Sequence, residues 1–135
     1  MRIEITCSET AARAIHPTIP RRLRRRQECF VVMCLDAGHI PIGKPKVVAV
    51  GTVNSVDVHP RDVFRDAVRS NAAAIIVAHN HPSGRTDPSV EDHALTAQLV
   101  RAGELLGIPV LDHLVLAPNG EYVSLADRGC LGEVG

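Results

Sequence analysis

Apolar residues along the chain group into runs that predict buried strands and amphipathic helices. Several runs are apolar at nearly every position, which is typical of strands covered on both faces of a sheet. Strands are predicted over residues 29–35, 47–58, 72–78, 110–116 and 122–125. Helices are predicted over residues 59–70 and 89–106, where apolar side chains recur at helical spacing. This order of elements predicts an α/β (α+β) fold with a mixed β-sheet flanked by helices.

The first 27 residues have a weaker pattern. Residues 2–6 alternate like a short edge strand, and residues 8–14 predict a short helix that ends near Pro17. We therefore divide the chain into an N-terminal extension over residues 1–27, which contains a basic segment, and one domain over residues 28–135. A chain of 135 residues is long enough for one such domain with its own core.

A polar segment follows directly on the third predicted strand. His79 and His81 stand two residues apart, and alternate residues of an extended segment point to the same side. Ser89 then predicts a helix N-cap, with Asp92 at the third helical position. Two imidazoles and a carboxylate with an open fourth position form the ligand set of a catalytic zinc site. The residues also fit a polar loop entrance and a capping box, so this pattern alone leaves both interpretations open.

The joint spacing of these residues resembles the metal motif of the JAB/JAMM (MPN-type) metalloprotease family. The resemblance to its RadC-like branch extends from about residue 28 to residue 131. It is carried by the segments His59-Pro60-Arg61-Asp62-Val63, Asn71-Ala72-Ala73-Ala74, Ala78-His79-Asn80-His81-Pro82-Ser83-Gly84 and Leu111-Asp112-His113-Leu114.

The resemblance implies a JAB/MPN-like (deaminase-like) architecture. It also implies one Zn²⁺ per chain, held by His79, His81 and Asp92, with water in the fourth position. The expected activity is that of a zinc-dependent metallopeptidase, in which the zinc-bound water attacks an amide or isopeptide carbonyl of a peptide or protein substrate. Ser89 would donate a hydrogen bond to the oxyanion that this attack creates.

One part of the family's catalytic apparatus is expected to be missing. In RadC-like chains the general-base Glu is expected four or five residues before a Gly-Thr pair, which here is Gly51-Thr52. Those positions hold Val47 and Lys46. The other acidic candidates, none of which has the expected position, are Glu28, Asp57 and Glu91. The general base is therefore unknown at this stage, and a catalytically weak zinc-binding scaffold is an alternative function.

A basic segment precedes the first long strand. Its arginines are Arg21, Arg22, Arg24, Arg25 and Arg26. They could contact DNA phosphates, and RadC-like proteins have been labelled as DNA repair proteins, so a DNA-associated role is a third hypothesis. A solvated surface or a partner-docking segment explains the same residues. The formal net charge of the whole chain is +0, so the chain shows no general preference for nucleic acid.

The remaining features exclude several classes of protein. No apolar run reaches the roughly 18 residues of a membrane span, and no signal-peptide pattern begins the chain, so a cytoplasmic protein is expected. The cysteines show no C-x-x-C pairing, and the Cys signature of zinc deaminases is missing. The other histidines are expected to be structural: His59 before a helix, His93 on a helix surface and His113 in a hydrogen bond at a sheet end.

Overall fold

The computed structural model describes residues 3–52 and 55–131. In this part of the chain, five strands form one sheet. Three α-helices and a short 3-10 helix complete the fold, with helices on both faces of the sheet. In chain order the elements are α1 (Ser8–Ile15), the 3-10 helix (His16–Thr18), β1 (Cys29–Leu35), β2 (Lys46–Val50), α2 (Pro60–Arg69), β3 (Ala74–Asn80), α3 (Val90–Leu106), β4 (Val110–Leu116) and β5 (Tyr122–Ser124).

The sheet is mixed, as predicted, with the strand order β2-β1-β3-β4-β5. Neighbouring strands are antiparallel except β3 and β4, which are parallel because α3 carries the chain back across the sheet between them. In this sheet, His79 near the end of β3 pairs with Phe30 on β1 and with Val115 on β4. β3 is therefore the central strand, and its C-terminal end lies between β1 and β4.

Two cores cover the two faces of the sheet, which explains why the central strands lack polar alternation. Val31 and Met33 of β1 and Ile76 of β3 face α1. Phe30 and Val77, which alternate with them along the same strands, face α2 and α3. Because side chains alternate along a strand, His79 lies on the same face as Val77, beneath α3.

The C-terminal ends of β2 and β3 differ from those predicted. β2 ends at Val50 and does not continue to residue 58, although residues 53 and 54 lie outside the described part of the chain. A Cβ added at Gly51 would clash with the backbone oxygen of Ser55, so the chain folds back on itself directly after the strand. β3 extends to Asn80, so His79 lies within the strand and not after it.

The predicted N-terminal edge strand is not formed by residues 3–6, and residues 1 and 2 lie outside the described ranges. Ile5 makes one backbone hydrogen bond, from its N–H to the oxygen of His39, at 2.8 Å. The predicted helix is present as α1, and Ile15 and Ile19 pack in the same core as β1. The domain boundary at residue 27 stays a prediction.

Not every apolar side chain of the two long helices is buried. Val68 on α2 and Leu106 on α3 are 52% and 50% exposed. The buried face of α3 instead includes Thr96 and Gly103, where an added Cβ would lie 2.5 Å from the backbone oxygen of Ile108. Among the described residues, no helix is both long enough and apolar enough to span a membrane.

Candidate metal centre

The two histidines of the motif converge at the end of β3. His79 is buried and its Nε2 lies 3.1 Å from the Nε2 of His81, the first residue after the strand. Asn80 between them points to the opposite face, where its side-chain oxygen accepts from the N–H of Cys29 at 2.7 Å. The alternation predicted from the spacing therefore brings two imidazole nitrogens to one point.

Asp92 approaches that point from the first turn of α3. Its Oδ1 lies 3.1 Å from the Nε2 of His79, and its Oδ2 lies 3.2 Å from the Nε2 of His81. The predicted capping box is also present: Ser89 Oγ accepts from the N–H of Asp92, and Asp92 Oδ2 accepts from the N–H of Ser89. The capping box thus fixes the carboxylate in position at the histidines, and the capping role of Asp92 is compatible with a role as a metal ligand.

These atoms fit a small divalent ion that prefers nitrogen and oxygen ligands. Ligand atoms on a tetrahedral zinc lie about 3.3 Å apart when the bonds are about 2.0–2.1 Å long. The separations of 3.1 Å, 3.1 Å and 3.2 Å among His79, His81 and Asp92 are close to that value. The donor set and its spacing therefore fit a zinc ion.

The orientation of His81 leaves its Nε2 available as a ligand. Its Nδ1 lies 2.9 Å from the backbone oxygen of Arg85, an atom that can only accept a hydrogen bond. Nδ1 therefore carries a proton, and in the neutral ring the lone pair is on Nε2. A backbone partner of this kind is the usual way in which proteins fix the tautomer of a metal-binding histidine.

Glu28, one of the three acidic candidates for the unassigned general base, also lies at this site, although its position in the sequence is not the expected one. It directly precedes β1, is buried, and its Oε1 lies 3.6 Å from the Nε2 of His81. One ligand atom each of Glu28, His79 and His81 lie within 4.8 Å of one another, close enough to hold a metal ion. The separations within the His79, His81 and Asp92 group are shorter, so Glu28 lies beside that group.

The register of the sheet explains this position. β1 and β3 are antiparallel, with Phe30 opposite His79. Two residues back along one strand and two forward along the other, the same register places Glu28 opposite His81 and on the same face. The signal for Glu28 was present in the sequence, as an acid at the start of a buried strand, but it required the pairing of the two strands to be known.

Charges around the site shift the acid–base properties of its groups. Burial raises the pKa of Glu28, and the nearby histidines offset part of this effect. The hydrogen bond to Asp92 raises the pKa of His81. Burial alone would raise the pKa of Asp92, but the hydrogen bonds from His79 and His81 outweigh it and hold this pKa well below its usual range.

An open groove with a volume of about 650 Å³ leads to these residues. Glu28, Ser89 and Asp92 line it together with both histidines. The Ser89 hydroxyl uses a lone pair in the capping box, so its proton remains available to a bound molecule. A substrate in the groove would therefore meet the carboxylate of Glu28 and the hydroxyl of Ser89.

The other acidic and basic candidates are exposed or pair with other residues. The Lys46 ammonium pairs with Asp66 at 3.3 Å, and Glu91 is exposed at the groove. The Asp57 side chain is 92% exposed and lies 3.7 Å from the Nε2 of His59. The position expected for the general base, at Lys46 and Val47, therefore does not contribute to the site.

Two further residues, His113 and Thr96, lie behind His79 and were not predicted to belong to the site. His113 is fully buried on β4, and its Nε2 lies 2.8 Å from the Nδ1 of His79. Thr96 Oγ1 on α3 lies 2.6 Å from the Nδ1 of His113. The predicted structural hydrogen bond of His113 is thus made to His79, and a threonine on the buried face of α3 completes it. His93, as expected, is exposed on the helix.

The chain is similar to proteins of a known family. A family model for the RadC-like JAB domain matches residues 5–130. A UPF0758 protein of Acaryochloris marina (strain MBIC 11017) is 45% identical over 122 residues, which is 90% of this chain and 49% of the relative. The chain thus spans about half the length of this curated relative. Because the family model covers most of its length, the chain belongs to the family of RadC-like JAB domains.

Proposed function

We propose that this domain is a zinc-dependent hydrolase that cleaves an amide or isopeptide bond in a peptide or protein substrate. The observation that carries the proposal is the buried Glu28 carboxylate beside the His79, His81 and Asp92 group. Three side chains that can bind a metal, with a separate carboxylate beside them that can act as general base, are the two parts that metal-assisted hydrolysis requires. The proposed ligands of one Zn²⁺ per chain are His79, His81 and Asp92.

Bound zinc would lower the pKa of a water molecule toward neutral pH, and it would polarise the substrate carbonyl. Glu28 would accept the proton of that water and pass it to the leaving amine. Burial suits it to this role, because the raised pKa of Glu28 brings the carboxylate closer to the value at which it can both take and give a proton.

Ser89 would stabilise the oxyanion. Its hydroxyl lines the groove at the N-terminus of α3, and its proton is free while its oxygen accepts from Asp92 N–H. The positive end of the helix dipole favours negative charge at the same place. The hydroxyl and the dipole would therefore both act on the charge that develops on the carbonyl oxygen.

Metal content and peptide cleavage together test the proposal. The protein is purified without added zinc or chelator, and bound metal is measured beside an Asp92→Ala variant. Both are then incubated with a pool of peptides and isopeptides, and cleavage products are identified by mass spectrometry. About one zinc per chain and cleavage, both lost in the variant, are expected. Zinc without any cleavage would favour the scaffold, and absence of zinc would overturn the metal centre.

We also propose a polyanion-binding surface, formed by the exposed guanidinium groups of the basic segment. Among the described residues, Arg21, Arg22, Arg25 and Arg26 have no hydrogen bond or ion pair from their side chains. Arg24 differs, because its side chain donates to the backbone oxygens of Ile19 and His16. Four neighbouring charges without acidic partners favour binding to phosphates of DNA or RNA. We expect the hydrolysis and the binding to nucleic acid to take place in the cytoplasm.

A further inference from the structure

A buried chain of hydrogen bonds connects the candidate metal centre to the interior of the protein. The Nδ1 of His79 lies 2.8 Å from the Nε2 of His113, whose Nδ1 lies 2.6 Å from Oγ1 of Thr96. Oγ1 of Thr96 in turn lies 2.7 Å from the backbone oxygen of Asp92. All three side chains are buried, with 2% or less of their surface exposed. The chain of hydrogen bonds therefore links β3, β4 and α3 through buried side chains.

The backbone oxygen of Asp92 can only accept, so a hydrogen bond between Thr96 and this oxygen uses the hydroxyl proton of Thr96. With the proton in that position, the directions of the other hydrogen bonds follow. The Thr96 oxygen then accepts from Nδ1–H of His113. The neutral His113 ring has its lone pair on Nε2, which accepts from Nδ1–H of His79. His79 is left with a lone pair on Nε2, directed at His81 and Asp92.

The same atoms allow the opposite direction. If the Thr96 hydroxyl donated to Nδ1 of His113, then His113 would donate from Nε2 to Nδ1 of His79. The Nε2 of His79 would then carry a proton, 3.1 Å from Oδ1 of Asp92, and could not bind a metal. Each group keeps one proton in both arrangements, so the reversal neither takes up nor releases a proton.

We propose that Thr96 and His113 are positioning residues that hold His79 in the tautomer with its proton on Nδ1 and thereby set the metal affinity of the site. The inference rests on the metal centre proposed above. Partners of this kind behind a metal-binding histidine typically change metal affinity 10–100-fold when they are removed.

The Thr96→Val variant tests this proposal, because it removes the hydroxyl and nearly preserves the shape of the side chain. His113 then has no acceptor at Nδ1, so its proton moves to Nε2, and His79 must carry its own proton on the metal-facing nitrogen. We expect Co²⁺, followed by its visible absorption, and Zn²⁺ in competition with it, to bind about 10–100-fold more weakly. Thr96→Ser, which keeps the hydroxyl, is the matched control and should bind as the original chain does.

Nuclear magnetic resonance of ¹⁵N-labelled histidine provides a readout that does not depend on the variant. In the zinc-loaded protein, His79 and His113 are both expected to carry their protons on Nδ1. A proton on Nε2 of His113 in that form, or equal Co²⁺ affinities of Thr96→Val and the original chain, would overturn the inference and leave the metal centre intact. If the original chain binds neither metal, the inference and the proposed function fail together.

Discussion

The Oε1 of Glu28 lies 3.6 Å from the Nε2 of His81, because the antiparallel register of β1 and β3 places these two residues opposite each other at the end of the sheet. One residue is the last before β1, and the other is the first after β3. The shared register holds a buried carboxylate beside the metal ligands without requiring a loop to fold over them. The proposed general base and the candidate metal centre are therefore positioned by the same pair of strands.

Replacing Glu28 should separate catalysis from metal binding. Glu28→Gln keeps the shape of the side chain but cannot accept a proton, so we expect cleavage of the substrate found in the peptide screen to slow by about 10²–10⁴-fold. The zinc content should stay the same, because His79, His81 and Asp92 are unchanged. Cleavage rates and metal content measured on the same samples test this.

Glu104→Gln, an exposed carboxylate on α3, serves as the matched control and should cleave at the original rate. Loss of zinc in Glu28→Gln would instead identify Glu28 as a metal ligand. An unchanged cleavage rate would show that Glu28 is not the general base.

Ser89 is expected to contribute to both stability and rate. Ser89→Ala removes the N-cap acceptor of α3 and should lower the free energy of unfolding by about 1 kcal/mol. It also removes the proton donor for the oxyanion, which should lower kcat by about 10²–10³-fold. Ser89→Asp retains a capping oxygen but no donor, so it should recover most of the stability and none of the rate. Full activity in either variant would contradict the oxyanion role.

Zinc binding is expected to weaken in acid. In the metal-free protein the hydrogen bond to Asp92 raises the pKa of His81 above 6.5, whereas a metal requires the neutral ring. As the pH falls through this raised pKa, protons occupy His81 and compete with zinc. In titrations with zinc, the dissociation constant should rise steadily as the pH is lowered from about 8 to about 6. A constant value over this range would show that His81 does not bind the metal.

Asn80 is expected to stabilise the segment that carries Glu28. Its Oδ1 accepts from Cys29 N–H at 2.7 Å, and its Nδ2 donates to the backbone oxygens of Arg24 and Gln27 at 3.2 Å and 3.0 Å. Asn80→Ala removes the partner of the buried Cys29 N–H and of the part-buried oxygens of Arg24 and Gln27, so the free energy of unfolding in urea should fall by about 2–3 kcal/mol. Asn119→Ala, in an exposed turn, should change it by less than about 1 kcal/mol. Equal effects of the two variants would argue against this role.

The basic segment should bind nucleic acid in a salt-dependent manner. Conversion of Arg21, Arg22, Arg25 and Arg26 to Gln should lower the affinity for a DNA duplex and reduce the slope of log affinity against log salt by about 0.9 for each lost phosphate contact. The matched control converts four other exposed arginines, Arg61, Arg69, Arg101 and Arg128. Fluorescence anisotropy at several salt concentrations measures both. Binding that is undetectable or independent of salt would exclude this surface.

Local sequence determined most of the elements and the residues that converge on His79. The spacing of His79 and His81 needs only the alternation of a strand, and the Ser89 and Asp92 pair needs only the geometry of a helix start. The left-handed Gly107, with φ 72°, ends α3 where the sequence predicted it. Each of these features depends on residues a few positions apart, so a single sequence contains the necessary information.

Only the tertiary structure decided which acid besides Asp92 lies next to the histidines, and which side chains lie behind His79. Glu28 depends on the pairing of β1 with β3, and the contact of His113 with His79 depends on the pairing of β3 with β4. Thr96 looks like an ordinary polar residue of α3 until the helix packs on the sheet. Strand register and helix packing arise from contacts between distant parts of the chain, which the local pattern of apolar and polar residues does not specify.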